Sequence, residues 1–173
     1  MPSEPRRSAR SAASSAVLDT ANLQILDELQ ADPRVSMSEL ARRVGLSPPA
    51  VTERVDRLRQ AGVIAGWRLE VDPEAVGLPI TAYARAKPGP GQLSRLAALA
   101  QETPAVTECH RITGDDCFLI KLHVRSMAHL AEVLDRFSVH GQLTTSIVVS
   151  TPVPLRPVAL PRAGEGNGDD SAP

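Results

Sequence analysis

Residues 36–58 read SMSELARRVGLSPPAVTERVDRL, a stretch that predicts two short helices joined by a tight turn. Ser36 and Glu39 have the spacing of a capping box, in which each side chain bonds the backbone amide of the other residue. Gly45 favours the left-handed backbone that ends a helix, and Ser47 can cap a new helix two positions later. Two helices connected in this way form a helix-turn-helix, whose second helix can lie in the major groove of DNA.

The second of these helices has one apolar side and begins with small residues. Val51, Val55 and Leu58 fall together on a helical wheel and predict the buried stripe. Pro48 and Pro49 fit the first turn, where their missing N–H groups cost no intrahelical hydrogen bond. Small side chains at this end permit close approach to DNA. The candidate DNA-contacting residues are Ser38, Ser47, Pro49, Ala50, Thr52, Glu53, Arg54, Arg57 and Arg68.

Segments on either side complete this first module. Upstream, Asp19 can cap a helix whose apolar stripe recurs at helical spacing as far as Leu29. Downstream, residues 63–68 have the form of a short strand and turn, which predicts a wing. Arg68 lies at the end of this wing, where it can reach a phosphate. Three helices followed by a wing are typical of a DNA-binding module.

Two acidic residues on the outward side of the second helix need an explanation in such a module. Glu53 and Asp56 would repel DNA phosphates, so we expect them either to face the bases or to be held by Arg57 and Arg54. The alternative to DNA binding is an ordinary helical hairpin inside a bundle.

Residues 66–151 alternate short β-like runs with helical ones. The predicted strands are Trp67–Val71, Ile80–Lys87, Val106–Ile112, Cys117–Val124 and Thr144–Ser150, and the predicted helices are Gln92–Gln101 and Met127–Phe137. With the first strand taken as a connector, the order is β-α-β-β-α-β, which is that of ferredoxin-like folds. The sequence therefore predicts an α+β protein with a winged helix-turn-helix in 17–79, connector strand included, and a ferredoxin-like domain in 80–154.

Composition and charge limit the remaining possibilities. Residues 1–68 hold ten Lys and Arg against eight Asp and Glu, whereas the rest holds nine against twelve, so the first module is the better partner for a polyanion. Residues 1–16 and 155–173 are rich in Ser, Ala, Pro and Gly and are predicted to be a disordered arm and tail. The two cysteines are too few for a disulfide framework. Because the chain has neither an 18-residue apolar run nor a secretory signal pattern, we expect a cytoplasmic protein that does not enter a membrane.

The motifs along the chain resemble those of the Lrp/AsnC (leucine-responsive/asparagine-synthase-regulator) transcription factors. The similarity covers roughly residues 17–154, in order and with the spacing of the family. The matching segments are Val17-Leu18-Asp19, Asn22-x-x-Ile25-Leu26, Ser38-Glu39-Leu40-Ala41, Val44-Gly45-Leu46-Ser47-Pro48, Arg54-Val55-x-x-Leu58, Gly62-Val63-Ile64-x-Gly66, Asp72-Pro73, Val76-Gly77-Leu78, Glu108-Cys109-His110-x-x-Thr113-Gly114-Asp115 and Thr145-Ser146-Ile147-Val148.

The resemblance implies a sequence-specific transcription regulator that binds double-stranded DNA through residues 37–56 and responds to a small-molecule effector. The effector would be an amino acid or related metabolite, bound by a ferredoxin-like, RAM-type C-terminal domain. Family members pair through that domain, and homodimers associate into larger even-numbered oligomers; no cofactor is implied. The implied effector-binding residues are Thr113, Gly114, Asp115, Asp116 and Cys117 in the turn, with Gln142, Thr144 and Ser146 further along the chain.

The chain departs from the family pattern at three places. Asn22 stands where many members have Asp, and the segment from Gly141 differs from the usual Pro-Gly-Val. Just past the turn, Cys117 and Phe118 occupy the places where many members carry a carboxylate and an aromatic residue. Asp115 or the aspartate after it can substitute for that carboxylate. The identity of the effector therefore stays open.

Other classes of function have less support in the sequence. Cys109, His110, Cys117 and His123 lack the close spacing of most zinc sites, so no metal site is expected. An enzyme on a ferredoxin-like domain is an alternative, but no nucleophile-and-base pairing or phosphate-cradling glycine loop is recognisable. A free-standing metabolite-binding module is the other alternative. Neither alternative needs the helix-turn-helix pattern of residues 36–68, and we therefore predict a regulator and not an enzyme.

Overall fold

A computed structural model describes residues 17–161. It divides into two compact units, one formed by the residues up to Arg68 together with those from Leu155 onward, the other by Leu69–Pro154. The predicted arm (1–16) and the end of the predicted tail (162–173) lie outside the described residues.

Three helices build the first unit: α1 (Thr20–Ala31), α2 (Met37–Val44) and α3 (Pro48–Gln60). They share one apolar core, because each presents a buried stripe at helical spacing. The buried members are Ile25, Leu26, Leu29, Val35, Leu40, Ala41, Val51, Val55 and Leu58. The predicted three-helix order and the buried stripe of α3 are confirmed.

The ends of these helices agree with the sequence only in part. The Ser36 hydroxyl accepts the Glu39 amide at 3.2 Å, and Gly45 ends α2 with φ of 68°. The Glu39 carboxylate binds arginine side chains instead of reaching back, so half of the predicted capping box forms. Ser47 makes no side-chain capping bond. Pro49, at the second position of the helix, has no N–H and so removes one of the two amides that such a cap would bind.

The predicted strand Trp67–Val71 is wrong, and residues 63–68, predicted as the wing, form no strand: within the described chain, no strand occurs between α3 and Ile80. The amides of Val63 and Ile64 instead donate to the Leu58 carbonyl at 2.9 and 3.2 Å, which ends the helix. The alternating apolar residues of 67–71 suit a strand, but a strand needs a neighbour for its backbone groups. The described part of the chain supplies none, and Leu69 is 85% exposed.

The expected tail also differs from the structure in its first residues. Residues 155–161 have no helix or strand, yet they group with the first unit rather than standing apart. Leu160 is partly buried against the helical core of that unit. The Pro- and Gly-rich composition of 155–173 did not indicate that Leu160 would pack on this core.

The second unit is a four-stranded antiparallel sheet with two helices. Its elements are β1 (Ile80–Pro88), α4 (Leu93–Glu102), β2 (Val106–Arg111), β3 (Phe118–Val124), α5 (Met127–Ser138) and β4 (Gly141–Ile147), and the strand order is β2-β3-β1-β4. The predicted β-α-β-β-α-β succession is confirmed. The core lies between the helices and one sheet face, where Ala84 and Ile120 meet Phe137. The other face of the sheet is open in the single chain.

The last strand begins earlier than predicted, at Gly141 instead of Thr144, and ends at Ile147 instead of Ser150. Gly141 pairs with Pro88 at the end of β1. A Cβ atom at this position would overlap the carbonyl of Lys87 and the Cα of Pro88. The strand can therefore begin at Gly141, because only a residue without a side chain lets the backbones of β4 and β1 come this close.

Candidate DNA-binding surface and effector site

The outward side of α3 is polar and internally paired. Arg57 Nη2 lies 2.7 Å from Glu53 Oε1, one helical turn away, and both side chains are more than half exposed. Asp56 lies 3.7 Å from Arg59. The two acidic residues are thus held by arginines of their own helix, as predicted for Glu53, but the partner of Asp56 is Arg59 and not Arg54.

Arg54 has a different role from its neighbours on α3. Its Nη1 donates to Asp19 Oδ2 at 2.7 Å and to Asn22 Oδ1 at 3.0 Å, and both partners belong to the start of α1. The side-chain nitrogen Nδ2 of Asn22 donates to the Val17 carbonyl at 2.6 Å, and Asn22 is only 5% exposed. The guanidinium therefore joins α3 to α1, which makes Arg54 a residue that positions α3.

Electrostatics support this ion pair. The hydrogen bond from Arg54 lowers the pKa of the Asp19 carboxyl. The same carboxylate also accepts a hydrogen bond from the backbone amide of Asn22 and thereby caps α1. A comparable cluster on α2 joins Glu39 to Arg42 and Arg43, and these two arginines lower the pKa of Glu39 to about 2. Both carboxylates are charged at neutral pH.

The structure leaves most of the predicted DNA-contacting residues at the surface. Ala50 and Arg54 are half-buried, and the Thr52 hydroxyl donates to the Pro48 carbonyl within the helix at 2.9 Å. Arg68 is exposed but does not lie on a wing strand. The exposed candidates are Ser38, Ser47, Pro49, Thr52, Glu53, Arg57 and Arg68.

In the second unit, the turn between β2 and β3 is fastened to β1. The amide of Cys117 donates to the Ala86 carbonyl at 2.9 Å, and Asp116 Oδ2 lies 3.6 Å from Arg85 Nε. Gly114 has φ of 106°, a conformation that favours glycine. Thr113 and Asp115 are exposed at the tip. The turn predicted to bind the effector is therefore held at a defined place at the end of the sheet where β3 begins and β1 ends.

The open face of the sheet brings the two predicted effector segments together. The exposed residues Gln142, Thr144 and Ser146 of β4 stand opposite Lys87, Arg85 and Tyr83 of β1, respectively. Because Asp116 also reaches Arg85, this arginine joins the turn to β4. A depression of about 550 Å³ at the same end of the sheet is lined by residues that include Lys87, Gly89, His140 and Gln142.

Arg85 and Lys87 were not among the residues predicted from the sequence. They alternate with Ala82, Ala84 and Ala86, which are buried on the helix side of β1. That alternation was visible in the sequence and could have identified both cations as residues of the open face. Together with the aspartates of the turn, they give this end of the sheet charges of both signs.

Comparisons with known proteins agree with both units. Residues 18–65 match the family described as winged helix-turn-helix DNA-binding, and residues 81–158 match the Lrp/AsnC ligand binding domain. The HTH-type transcriptional regulator LrpC of Bacillus subtilis is 35% identical over 77% of this chain and 92% of its own length. The LrpA regulator of Mycobacterium tuberculosis is 33% identical over 78% of this chain and 91% of its own.

Solved structures show the same fold. The structure of B. subtilis LrpC has a TM-score of 0.74 at 35% identity and covers 78% of this chain and 96% of its own. A feast or famine regulatory protein from M. tuberculosis, complexed with L-methionine, has a TM-score of 0.76 at 31% identity, over 82% and 98%. Among residues 17–161, no helix has both the length and the apolar character that a membrane span requires.

A helix-turn-helix unit followed by a ligand-binding sheet domain defines a DNA-binding transcription regulator with an effector domain. The chain belongs to the Lrp/AsnC family of such regulators.

Proposed function

We propose that this protein recognises specific operator sequences through the outward face of α3 and acts in the cytoplasm without catalysing a reaction. The observation that carries the proposal is the exposed Arg57 on the second helix of the helix-turn-helix, where its partner Glu53 is also exposed. An exposed ion pair of this kind holds an arginine weakly, so DNA can compete for it. Binding to operator DNA upstream of the protein's own gene, measured by gel shift, is the direct test.

Arg57→Ala is expected to weaken operator binding about tenfold to a hundredfold, since a base-contacting arginine contributes roughly 1–3 kcal/mol. Arg59→Ala is the matched control, because it removes the same charge from the same helix but from a position off the predicted outward face. Fluorescence anisotropy with operator and scrambled DNA measures both variants. Equal operator affinity in folded Arg57→Ala and wild-type protein would show that this residue does not read DNA.

We further propose that the effector binds at the turn end of the open sheet face, between dimers. Its carboxylate would meet Arg85 or Lys87 and its ammonium would meet Asp115, which is exposed beside the Asp116–Arg85 pair. An amino acid or related zwitterion suits charges of both signs. Structures of relatives from M. tuberculosis and Neisseria meningitidis are complexes with L-methionine, which supports this class of ligand.

Gly114→Val and Asp115→Ala are both expected to weaken effector binding while leaving DNA affinity without effector largely unchanged. The first adds a β-branched side chain at positive φ, and the second removes an acceptor for an ammonium group. Calorimetric titration with L-methionine measures the first effect, and a gel shift without ligand measures the second. Unchanged effector affinity in both variants would place the pocket elsewhere.

We propose a homodimer in which a second copy covers the open sheet face around Tyr83. The turn end of that face, with the effector, then lies where dimers join into larger even-numbered assemblies. Tyr83 is partly exposed at the middle of β1 on this face, and a unit of this size buries little apolar surface alone. A two-fold partner presenting the same face would cover both sheets.

Tyr83→Glu is expected to shift the full-length protein from dimers or larger assemblies to monomers at micromolar concentration, because two like charges would meet near the two-fold axis. Met127→Glu is the control, since it adds the same charge to an exposed apolar residue at the start of α5, on the helix side of the sheet. Sedimentation velocity gives the masses. An unchanged mass for Tyr83→Glu would exclude this face as the dimer contact.

A further inference from the structure

A second cavity lies at the opposite end of the sheet from the Thr113–Cys117 turn. It has a volume of about 260 Å³. The connection between α4 and β2 forms one wall, α5 forms another, and Leu78 closes it beside the start of β1. Its apolar surfaces come from Leu78, Pro104, Ala105 and Val133, and no acidic residue lines it.

Two polar groups in this lining have no partner in the part of the chain that the structure describes. His129 Nδ1 is shielded from solvent and accepts or donates no hydrogen bond there. Arg136, two helical turns further along α5, is exposed, and its side chain lies within ion-pairing distance of no carboxylate among residues 17–161. A shielded polar atom without a partner costs about 1–3 kcal/mol, so such an atom needs an explanation.

The other polar side chains of the lining are already engaged. Thr103 donates its hydroxyl to the Leu99 carbonyl at 2.6 Å, which ends α4. His123 Nδ1 lies 3.0 Å from the Thr81 hydroxyl across the β1–β3 pair. His129 and Arg136 are therefore the polar side chains of the lining that remain able to bind a ligand. One bridging water would satisfy His129 but would leave most of the cavity unfilled.

We propose that this cavity is a second ligand site, which takes a small monocarboxylate with a branched apolar tail. The guanidinium of Arg136 binds the carboxylate, since a guanidinium pairs well with that planar anion. His129 donates from Nδ1 in the tautomer that carries the proton there. The tail packs on Val133 and Pro104. This site lacks a carboxylate for an ammonium group, which separates its ligand class from the zwitterion proposed at the turn.

The position of Leu78 gives the site a way to influence the rest of the molecule. Residues 73–78 form a turn in which the Leu78 amide donates to the Pro73 carbonyl at 2.8 Å and the Gly77 amide to the Glu74 carbonyl at 3.0 Å. This turn belongs to the connector that follows the first unit. A ligand that packs on Leu78 stabilises the hydrogen-bonded form of this turn. The free energy of that stabilisation equals the difference between the ligand's binding free energies for the turn with and without these hydrogen bonds.

The test uses the full-length protein with 3-methylbutanoate as the probe and 3-methylbutanamide as its uncharged isostere. We expect saturable calorimetric binding of the carboxylate, at least about tenfold weaker binding of the amide, and a perturbed ¹⁵N signal for the His129 ring. Hydrogen exchange at the Gly77 and Leu78 amides should slow when the probe is bound.

Arg136→Gln is expected to weaken binding of 3-methylbutanoate about tenfold or more, whereas Arg125→Gln, which removes an exposed arginine just before the same helix, is expected to leave it unchanged. His129→Phe keeps the shape of the wall without the ring nitrogens and is expected to weaken binding with the fold intact. Absence of saturable binding, equal binding of the amide, or equal affinity in Arg136→Gln would overturn the proposal. Loss of binding in Lys87→Gln or Arg85→Gln would also overturn it, because the carboxylate of the probe would then occupy the turn end of the sheet.

Discussion

Gly141→Ala is expected to destabilise the second unit by about 3 kcal/mol or more, within the upper range of overpacking and backbone-strain effects. The new Cβ atom would overlap the Lys87 carbonyl and the Pro88 Cα, and backbone atoms in a paired strand cannot move aside as the end of a flexible side chain can. This overlap can be relieved only if β4 moves away from the end of β1. That separation also disturbs the hydrogen bond from the Gly89 amide to the His140 carbonyl.

Urea unfolding followed by circular dichroism measures this loss. Gly66→Ala is the matched control, because a Cβ atom at Gly66 meets nothing within 4 Å and its backbone does not need positive φ. We expect Gly66→Ala to stay within about 0.5 kcal/mol of wild type. If Gly141→Ala is as stable as Gly66→Ala, then β4 does not approach β1 as closely as the structure shows.

Arg54→Ala is expected to destabilise the first unit by about 1–3 kcal/mol, because it leaves the buried Asn22 without the partner of its side-chain oxygen. Arg57→Ala should leave stability nearly unchanged, since its ion pair with Glu53 is exposed. Both variants should weaken DNA binding, but for different reasons. Arg54→Lys restores the charge without the forked geometry and is expected to recover only part of the stability.

The pH dependence of unfolding distinguishes this role further. Arg54 lowers the pKa of Asp19 in the folded state. The resulting stabilisation is therefore fully present above the unfolded pKa of about 3.9 and is lost as pH falls through the lower folded value. Arg54→Ala should show a smaller loss of stability than wild type on acidification from pH 5 to pH 2. An identical acid profile in the two proteins would show that the Asp19–Arg54 pair does not contribute.

Patterns that depend on a residue's own helix or strand were readable from the sequence. The stripe of Val51, Val55 and Leu58 and the left-handed stop at Gly45 both follow from local geometry, and both appear in the structure. The order of strands and helices in the second unit followed from alternation in the same way. Family resemblance added the turn at Thr113 and the residues of β4 as effector candidates. The sheet register places the β4 residues beside Arg85, which also pairs with Asp116 of the turn.

Features that depend on distant partners could not be predicted. The Arg54 guanidinium turns to Asp19, 35 residues away, although the helical wheel placed it beside the DNA-facing residues. The strand expected at Trp67 lacks a neighbour within the described chain, and no local pattern reveals that. Arg85 joins the turn to β4 only because β1 lies between β3 and β4 in the sheet.

The return of Leu160 to the helical core affects the order in which the protein can be completed. The ribosome releases the three helices first, and the whole second unit must be synthesised before residue 160 exists. The first unit therefore folds initially without the contact of Leu160 with its core. It acquires that contact last, when the two ends of the second unit are brought together. A nascent or C-terminally shortened chain carries a helix-turn-helix that is less well packed than that of the finished protein. Affinity tags for this protein are consequently better placed at the N-terminus than close behind Leu160.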